Sequence, residues 1–209
     1  MPEIYQLFID GKERDAEDGA FFGVENPATG ELAFSVADAT EADVASAVSC
    51  ARAAFLDGRW SHQRPRDRAR VLNRAAGLLA DSIDMLAQLE TVQIGRPVRE
   101  MRSQLLRLPE WLEYFGAVAQ TLEGGVPDFG PDHVNYVQRL PLGVAALITP
   151  WNHPLLILMK KLSAALAAGH TVVVKPSELA PVPPILPAHS LADAGRPPAS
   201  STPRPSAGR

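Results

Sequence analysis

Apolar and polar positions follow two rhythms along this chain, and the change from one to the other divides it. At the start, Leu7-Phe8-Ile9 followed by Asp10-Gly11 reads as a strand and a tight turn. Asn26-Pro27-Ala28-Thr29-Gly30 reads as a second turn, ahead of a strand over Leu32–Val36. This is a small hairpin region with little chemistry of its own. From Thr40 the spacing becomes helical. Thr40 can cap the backbone, and Asp43, at the third helical position, completes a capping box. Val44, Ala47, Val48, Ala51 and Phe55 then make one face apolar. A second helix starts near Pro65, a good first-turn residue. Its stripe is Leu72, Ala76, Leu79, Ile83 and Leu86, and Gly95 and Pro97 end it. A third runs from about Val98 to Leu122 with Met101, Leu105, Leu108, Leu112 and Phe115 inward, until Gly124-Gly125 breaks it.

The rhythm then shortens. Val134 to Leu140 alternates, as a half-buried strand does. Val144-Ala-Ala-Leu-Ile148 is a continuous apolar run, the pattern of a strand covered on both faces. Leu155 to Ala168 is helical and closed by Gly169, and Thr171-Val-Val-Val-Lys175 is another buried strand. Strand, helix and strand within about 30 residues form a βαβ unit, so the two strands are expected to lie parallel with a right-handed crossover. No internal repeat is visible.

Composition narrows the classes. With 209 residues and 46% hydrophobic positions, the chain can bury a sizeable core. A net charge of −4 gives no pull toward nucleic acid or an anionic membrane. No apolar run approaches the ~20 residues that span a bilayer, and the first residues lack a basic end or an apolar signal core. The single cysteine, Cys50, allows no internal disulfide and makes a reducing cytoplasm the expected setting. From Arg196 onward there is no acid and almost no apolar bulk, so residues 196–209 read as a disordered tail.

In doubly wound sheets, ligands sit beyond the carboxyl ends of parallel strands. Two such ends are present: Ile148-Thr149-Pro150-Trp151-Asn152 and Lys175-Pro176-Ser177-Glu178. Lys175 and Glu178 could hold the hydroxyls of a ribose, and Asn152 could donate its amide to a developing oxyanion. No Gly-x-Gly-x-x-Gly is present, so the usual dinucleotide fingerprint is missing. The residues by themselves leave open a ligand site and an ordinary solvated strand-to-helix turn.

The segments Pro141 to Leu155 and Ala165 to Glu178 resemble the aldehyde dehydrogenase superfamily. Phe8-Ile9-Asp10-Gly11, Asn26 to Glu31, and Glu90-Thr91 ahead of Gly95-Arg96-Pro97 agree, so the likeness covers residues 5 to about 195. It implies an α/β architecture: a partial fold of that type, with an N-terminal helical segment and the start of a Rossmann-like parallel sheet. Residues 1–133 would be the first part of the cofactor domain, 134–140 an oligomerisation-type strand, and 141–195 the start of the NAD-binding sheet. The resemblance implies that Asn152 is the oxyanion-hole amide and that Lys175 and Glu178 bind the adenosine ribose. Ile148, Thr149, Pro150, Trp151 and Ser177 would complete the cofactor contacts. A carboxylate at 178 would repel a 2′-phosphate, favouring NAD over NADP. The implied reaction is oxidation of an aldehyde to a carboxylic acid in a homo-oligomer, with no nucleic acid or membrane partner. Ala164 stands where the family often has Pro, and His170 where it often has Asn.

The family's cysteine nucleophile and glutamate base come well after the Lys-Pro-Ser-Glu segment, and neither is expected within this sequence. Cys50, in the first helix, reads as a small helix residue. The chain is thus expected to be inactive alone, as a fragment or an NAD-binding or oligomer-docking module. Pro198-Ala-Ser-Ser-Thr202 stands where relatives continue Pro-x-Gly-Val-Phe-Asn. One codon choice for those five residues reads Gly-Val-Phe-Asn in another frame, so a truncation or frameshift near residue 196 is expected, and sequencing the gene tests it.

Other candidates are plainer. The five histidines show no metal-ligand spacing. Glu90 and Glu100 read as solvated acids at a helix junction, and Arg64, Arg66, Arg68 and Arg70 as a basic run at a helix start that alternates rather than lying on one face and lacks the aromatic interleaving of a nucleic-acid site. Trp60, Trp111 and Phe115 read as core anchors.

Overall fold

The computed structural model describes residues 3–185, 187, 191 and 193–195, and the tail expected over 196–209 lies outside them. Five short strands lie ahead of the first helix. β1 (Glu3–Tyr5), β5 (Leu32–Ala37) and β4 (Phe21–Glu25) form one sheet in that order, with β1 parallel and β4 antiparallel to β5. β2 (Leu7–Ile9) and β3 (Lys12–Arg14) form a hairpin. Its two turn residues, Asp10 and Gly11, both have positive φ (53° and 76°), the conformation that matches the twist of paired strands.

α1 (Glu41–Leu56) begins as its sequence dictates. The Thr40 side chain accepts from the Asp43 N–H, and the Asp43 carboxylate accepts from the Thr40 N–H at 2.9 Å. The same carboxylate accepts from the Glu17 N–H at 3.1 Å, tying the helix start to the preceding loop. Ala47, Ala51 and Ala54 face inward, while Val48 is exposed.

The two long helices expected next are each divided. The first becomes α2 (Pro65–Asp81) and α3 (Ile83–Ile94), broken at Ser82. The Ser82 hydroxyl donates back to the Leu78 carbonyl at 3.0 Å, a bond that competes with the helical ladder and bends it. The second becomes α4 (Val98–Leu105) and α5 (Leu108–Thr121). Pro109 has no N–H to continue the ladder and disfavours helix at the residue before it. The inward stripes survive both breaks: Leu72, Ala76, Leu79, Ile83, Leu86, Met101, Leu105, Leu108 and Leu112 are all buried. Phe115 is partly buried against them. Of the expected anchors, Trp60 is fully buried, whereas Trp111 is half-buried and stacks on Phe115.

Residues 134–140 do not form the half-buried strand expected of them. Only isolated bridges, Gly125 to Val137 and Asp128 to Val134, hold the segment to the chain just before it. Val134 and Leu140 are 86% and 72% exposed. Alternation supplied an apolar face, but no layer of the described chain lies against it. Gly124 permits the close approach, since a Cβ there would meet the Val137 carbonyl oxygen at 2.0 Å.

β6 (Val144–Ile148), α6 (Pro154–Ala167) and β7 (Thr171–Lys175) form the βαβ unit, with β6 and β7 parallel and in register from Val144–Thr171 to Ile148–Lys175. α6 covers one face, in a core shared by Leu147, Val172 and Val174 with α2 to α5. α1 covers the other, where Ala47 and Ala51 pack near Val173. β7 is buried on both faces. β6 is not, contrary to its uninterrupted apolar run: Ala146 and Ile148 are exposed beside the covered Leu147.

Candidate functional site at the carboxyl ends of the parallel strands

The register of β6 and β7 brings the two predicted segments side by side. Ile148 is the cross-strand partner of Lys175, and the Thr149 N–H donates to the Lys175 carbonyl at 3.1 Å. Ile148, Thr149 and Lys175 thus share one strand end. The Lys161 ammonium donates to the Ile148 carbonyl at 2.6 Å, fastening that end to α6. Ile148 and Trp151 are 58% and 54% exposed, an apolar surface of the kind a planar ring lies on. Thr149 is buried, and its hydroxyl has no hydrogen-bond partner among the described residues.

Past β7 the chain turns sharply. Ser177 is buried, and its hydroxyl accepts from the Leu179 N–H at 3.3 Å, while its carbonyl accepts from the Ala180 N–H. That turn presents Glu178. Trp151 and Glu178 meet across a cleft of about 390 Å³, closed on its far side by Val24, Pro27 and Ile94. Pro150 and Asn152 are exposed in the β6–α6 loop. Among the described residues the Asn152 amide has no hydrogen-bond partner, so both its N–H groups are available.

The loop holding Asn152 is fixed from below by a residue that sequence reading placed in solvent. Glu90, on α3, is 0% exposed, and its Oε1 accepts from the Leu155 N–H at 2.9 Å. Leu155 is in the first turn of α6, whose own N-cap residue, His153, makes no side-chain cap bond. Glu90 therefore caps a helix it does not belong to, with its negative end against the helix N-terminus. Burial pushes the Glu90 carboxyl up to about 7, against the opposing pull of the Leu155 N–H and the Arg96 guanidinium. The signal was present in the spacing: Leu79, Ile83, Leu86 and Glu90 lie three or four apart on the buried stripe. A polar residue on such a stripe needs a buried partner.

His153 is half-buried against α4 and the turn that precedes it. Its Nδ1 lies 2.9 Å from Arg96 Nη1 and 2.8 Å from Gln104 Nε2. Arginine can only donate, so the imidazole accepts. Burial, then Arg96 and Lys160, holds the His153 pKa below its ordinary value and keeps the ring neutral. Arg68, one of the basic run at the start of α2, is also buried: its Nε donates to the Ala167 carbonyl at 3.0 Å and its Nη1 to the Gln63 carbonyl. Cys50 is half-buried on α1, packed beside Ala47 and Ala51. Among the described residues no cluster of His, Cys, Asp and Glu could hold a metal ion, and no helix is long and apolar enough to cross a membrane.

Fold and site together define an α/β protein with its candidate ligand groups at the carboxyl ends of parallel strands. The aldehyde dehydrogenase family model matches residues 14–201, and the chain belongs to that family. It is 37% identical over 192 residues to an aldehyde dehydrogenase of Davidiella tassiana, covering 92% of this chain and 38% of that protein. The crystal structure of an NAD-dependent aldehyde dehydrogenase from Sinorhizobium meliloti superposes with a TM-score of 0.94 at 31% identity, over 98% of this chain and 41% of that one. The crystal structure of PnpE in complex with nicotinamide adenine dinucleotide gives 0.92 at 37% identity, over 97% and 42%. The chain thus spans about two fifths of the length of these relatives.

Proposed function

We propose that this chain serves the NAD-dependent oxidation of an aldehyde to a carboxylic acid, supplying the cofactor grip and the oxyanion donor. The observation that carries this reading is the pairing of Ile148 with Lys175, which sets an exposed apolar surface and an ammonium at one strand end, with the free Asn152 amide in the loop beyond. These residues suit a dinucleotide. Ile148, Thr149, Pro150 and Trp151 offer it a wall, Lys175 donates to ribose hydroxyl oxygens, and Glu178 accepts from them. Ser177 shapes the turn that presents Glu178. The Glu178 carboxylate disfavours a 2′-phosphate, so NAD is preferred to NADP. NAD, when bound, accepts the hydride. Asn152 donates to the aldehyde oxygen as charge develops on it.

The nucleophilic cysteine and the base follow these segments in a full-length family member, and Cys50 on α1 is no substitute for the former. These 209 residues are expected to bind NAD. Titration calorimetry with NAD and NADP tests the grip: NAD should bind more tightly, and Lys175→Ala or Glu178→Gln should weaken it by about tenfold, the loss of one charge-assisted hydrogen bond. No heat with NAD would overturn this assignment.

The exposure of Val134, Tyr136 and Leu140 supports a second role, association with another copy of the family through residues 134–140. Light scattering reads it: the chain should run as an oligomer that Tyr136→Glu dissociates. A monomer at all concentrations rejects that role.

A further inference from the structure

A second cleft, of about 850 Å³, opens between α4, α5 and the first half of α6. Its charge is one-sided. Arg96, Arg99, Arg107 and Lys160 line it, with Glu100 as the single carboxylate among the described residues. Glu100 is already committed, its Oε2 lying 3.2 Å from Arg96 Nη2. Arg107 has a loose, exposed partner in Glu110 at 3.7 Å. Arg99 has no ion-pair partner among the described residues. Lys160 Nζ sits over the Trp111 ring, 5.3 Å from its centroid, so its partner is a π face rather than an anion. With Arg96 and Arg107 each beside a carboxylate, Arg99 and Lys160 are left uncancelled around a concave space, where low-dielectric walls focus their field.

The cleft also adjoins the proposed reaction centre. Arg96 Nη1 is bonded to His153, the residue directly after Asn152, and Gln104 of the cleft wall is bonded to the same ring. The Trp111 ring and the Leu156 side chain add apolar wall along which a short carbon chain can lie. A ligand reaching from the Asn152 amide past His153 into this cleft would have its other end among guanidinium and ammonium groups. Those groups hydrogen-bond carboxylate or phosphate oxygens and gain nothing from an alkyl terminus.

We propose that this cleft selects aldehydes bearing an anionic group, a carboxylate or a phosphate, at the end remote from the carbonyl. The selection rests on the aldehyde chemistry assigned to Asn152, but the cations that produce it lie outside the cofactor residues. The test is a calorimetric titration of the full 209-residue chain with 4-oxobutanoate, butanal and glyceraldehyde 3-phosphate, with NAD titrated in parallel. 4-Oxobutanoate should bind at least about tenfold more tightly than butanal at low salt. That gap should shrink as salt approaches molar strength. In the Arg99→Gln/Lys160→Gln double variant it should close, while NAD affinity and the melting temperature stay unchanged, since both side chains are exposed. Tighter binding of glyceraldehyde 3-phosphate than of 4-oxobutanoate supports the selection with phosphate as the anion. Equal affinity for 4-oxobutanoate and butanal, no binding of either anionic aldehyde, or a gap that survives the double variant would overturn it. NAD binding without anion preference removes this inference alone, whereas anion preference without NAD binding removes the cofactor assignment alone.

Discussion

The carboxylate of Glu90, on α3, accepts from the backbone N–H of Leu155, in the first turn of α6, at 2.9 Å and out of reach of water. The bond joins residues 65 apart in sequence and anchors the end of the loop that carries Asn152. It places a titratable group beneath the proposed oxyanion donor, with consequences for pH.

Burial raises the folded-state carboxyl of Glu90 from 4.5 to about 7, so the folded protein holds this proton more firmly than the unfolded chain does. Below about pH 4.5 both states are protonated and the site costs nothing. As pH rises toward 7 the unfolded chain loses its proton first, and stability falls by an amount on the order of 3 kcal/mol for a shift of this size. Glu90→Gln keeps an acceptor for the Leu155 N–H and has no proton to lose. Chemical denaturation at pH 5 and pH 8 should show a loss with rising pH in the native chain that the Gln variant lacks. Equal pH dependence in the two would remove the buried charge as its source. Glu90→Leu, which leaves the Leu155 N–H bare, should be less stable than the Gln variant at both.

The carboxyl end of α6 is closed by two side chains from elsewhere. Trp60 Nε1 donates to the Leu166 carbonyl at 3.1 Å, and Arg68 Nε to the Ala167 carbonyl at 3.0 Å. Trp60→Phe takes one of two donors from the Leu166 carbonyl, which keeps the Gly169 N–H at 3.0 Å, and leaves a void beside it, and should cost about 1–3 kcal/mol. Arg68→Met should cost about 1–3 kcal/mol. Both act on one helix end, so the double variant should depart from the sum of the singles. Additive losses in a double-mutant cycle would show that the two carbonyls are capped independently.

Two glycines predict shifts of opposite sign. Gly95 ends α3 with φ 72°, and a Cβ there would lie 2.9 Å from Pro27 Cγ. Gly95→Ala should destabilise by about 1–3 kcal/mol. Gly77 lies within α2 with nothing near its Cβ position. Gly77→Ala should stabilise by about 0.5–1 kcal/mol. Thermal melts of the pair that moved in the same direction would contradict the assignment of α3's end.

The cap of α1 predicts a smaller effect. Thr40→Ala removes the acceptor for the Asp43 N–H and should cost about 1 kcal/mol. Thr40→Ser should restore most of it. An Ala variant as stable as the native chain would mean that the Asp43 carboxylate, through its bonds to Thr40 and Glu17, holds the helix start unaided.

Local chemistry made much of this protein legible in its sequence. The capping box at Thr40, the Asp10-Gly11 hairpin turn, the buried stripes and the parallel β6–β7 pair follow from side-chain spacing and backbone preference within a few residues. The two strand-end segments were visible for the same reason: polar groups directly follow uninterrupted apolar runs. Ser82 and Pro109 carried a local signal too, but the apolar stripe runs straight through both, and spacing alone read each pair of helices as one.

What the tertiary structure decided is which polar groups lose water and which apolar groups keep it. Glu90 and Arg68 look like surface charges in one dimension and are buried in three, because Leu155 and Ala167 bring backbone groups to them across 65 and 99 residues of chain. Ile148 and the 134–140 segment look like core and stand exposed, because no described layer reaches them. Burial is a property of what packs alongside, and spacing along one element cannot supply it. The polar segments that follow β6 and β7, at Asn152 and Lys175, were therefore readable from the sequence, whereas the buried carboxylate at Glu90 and the cationic cleft at α4 appeared only once α3, α4, α5 and α6 had been brought together.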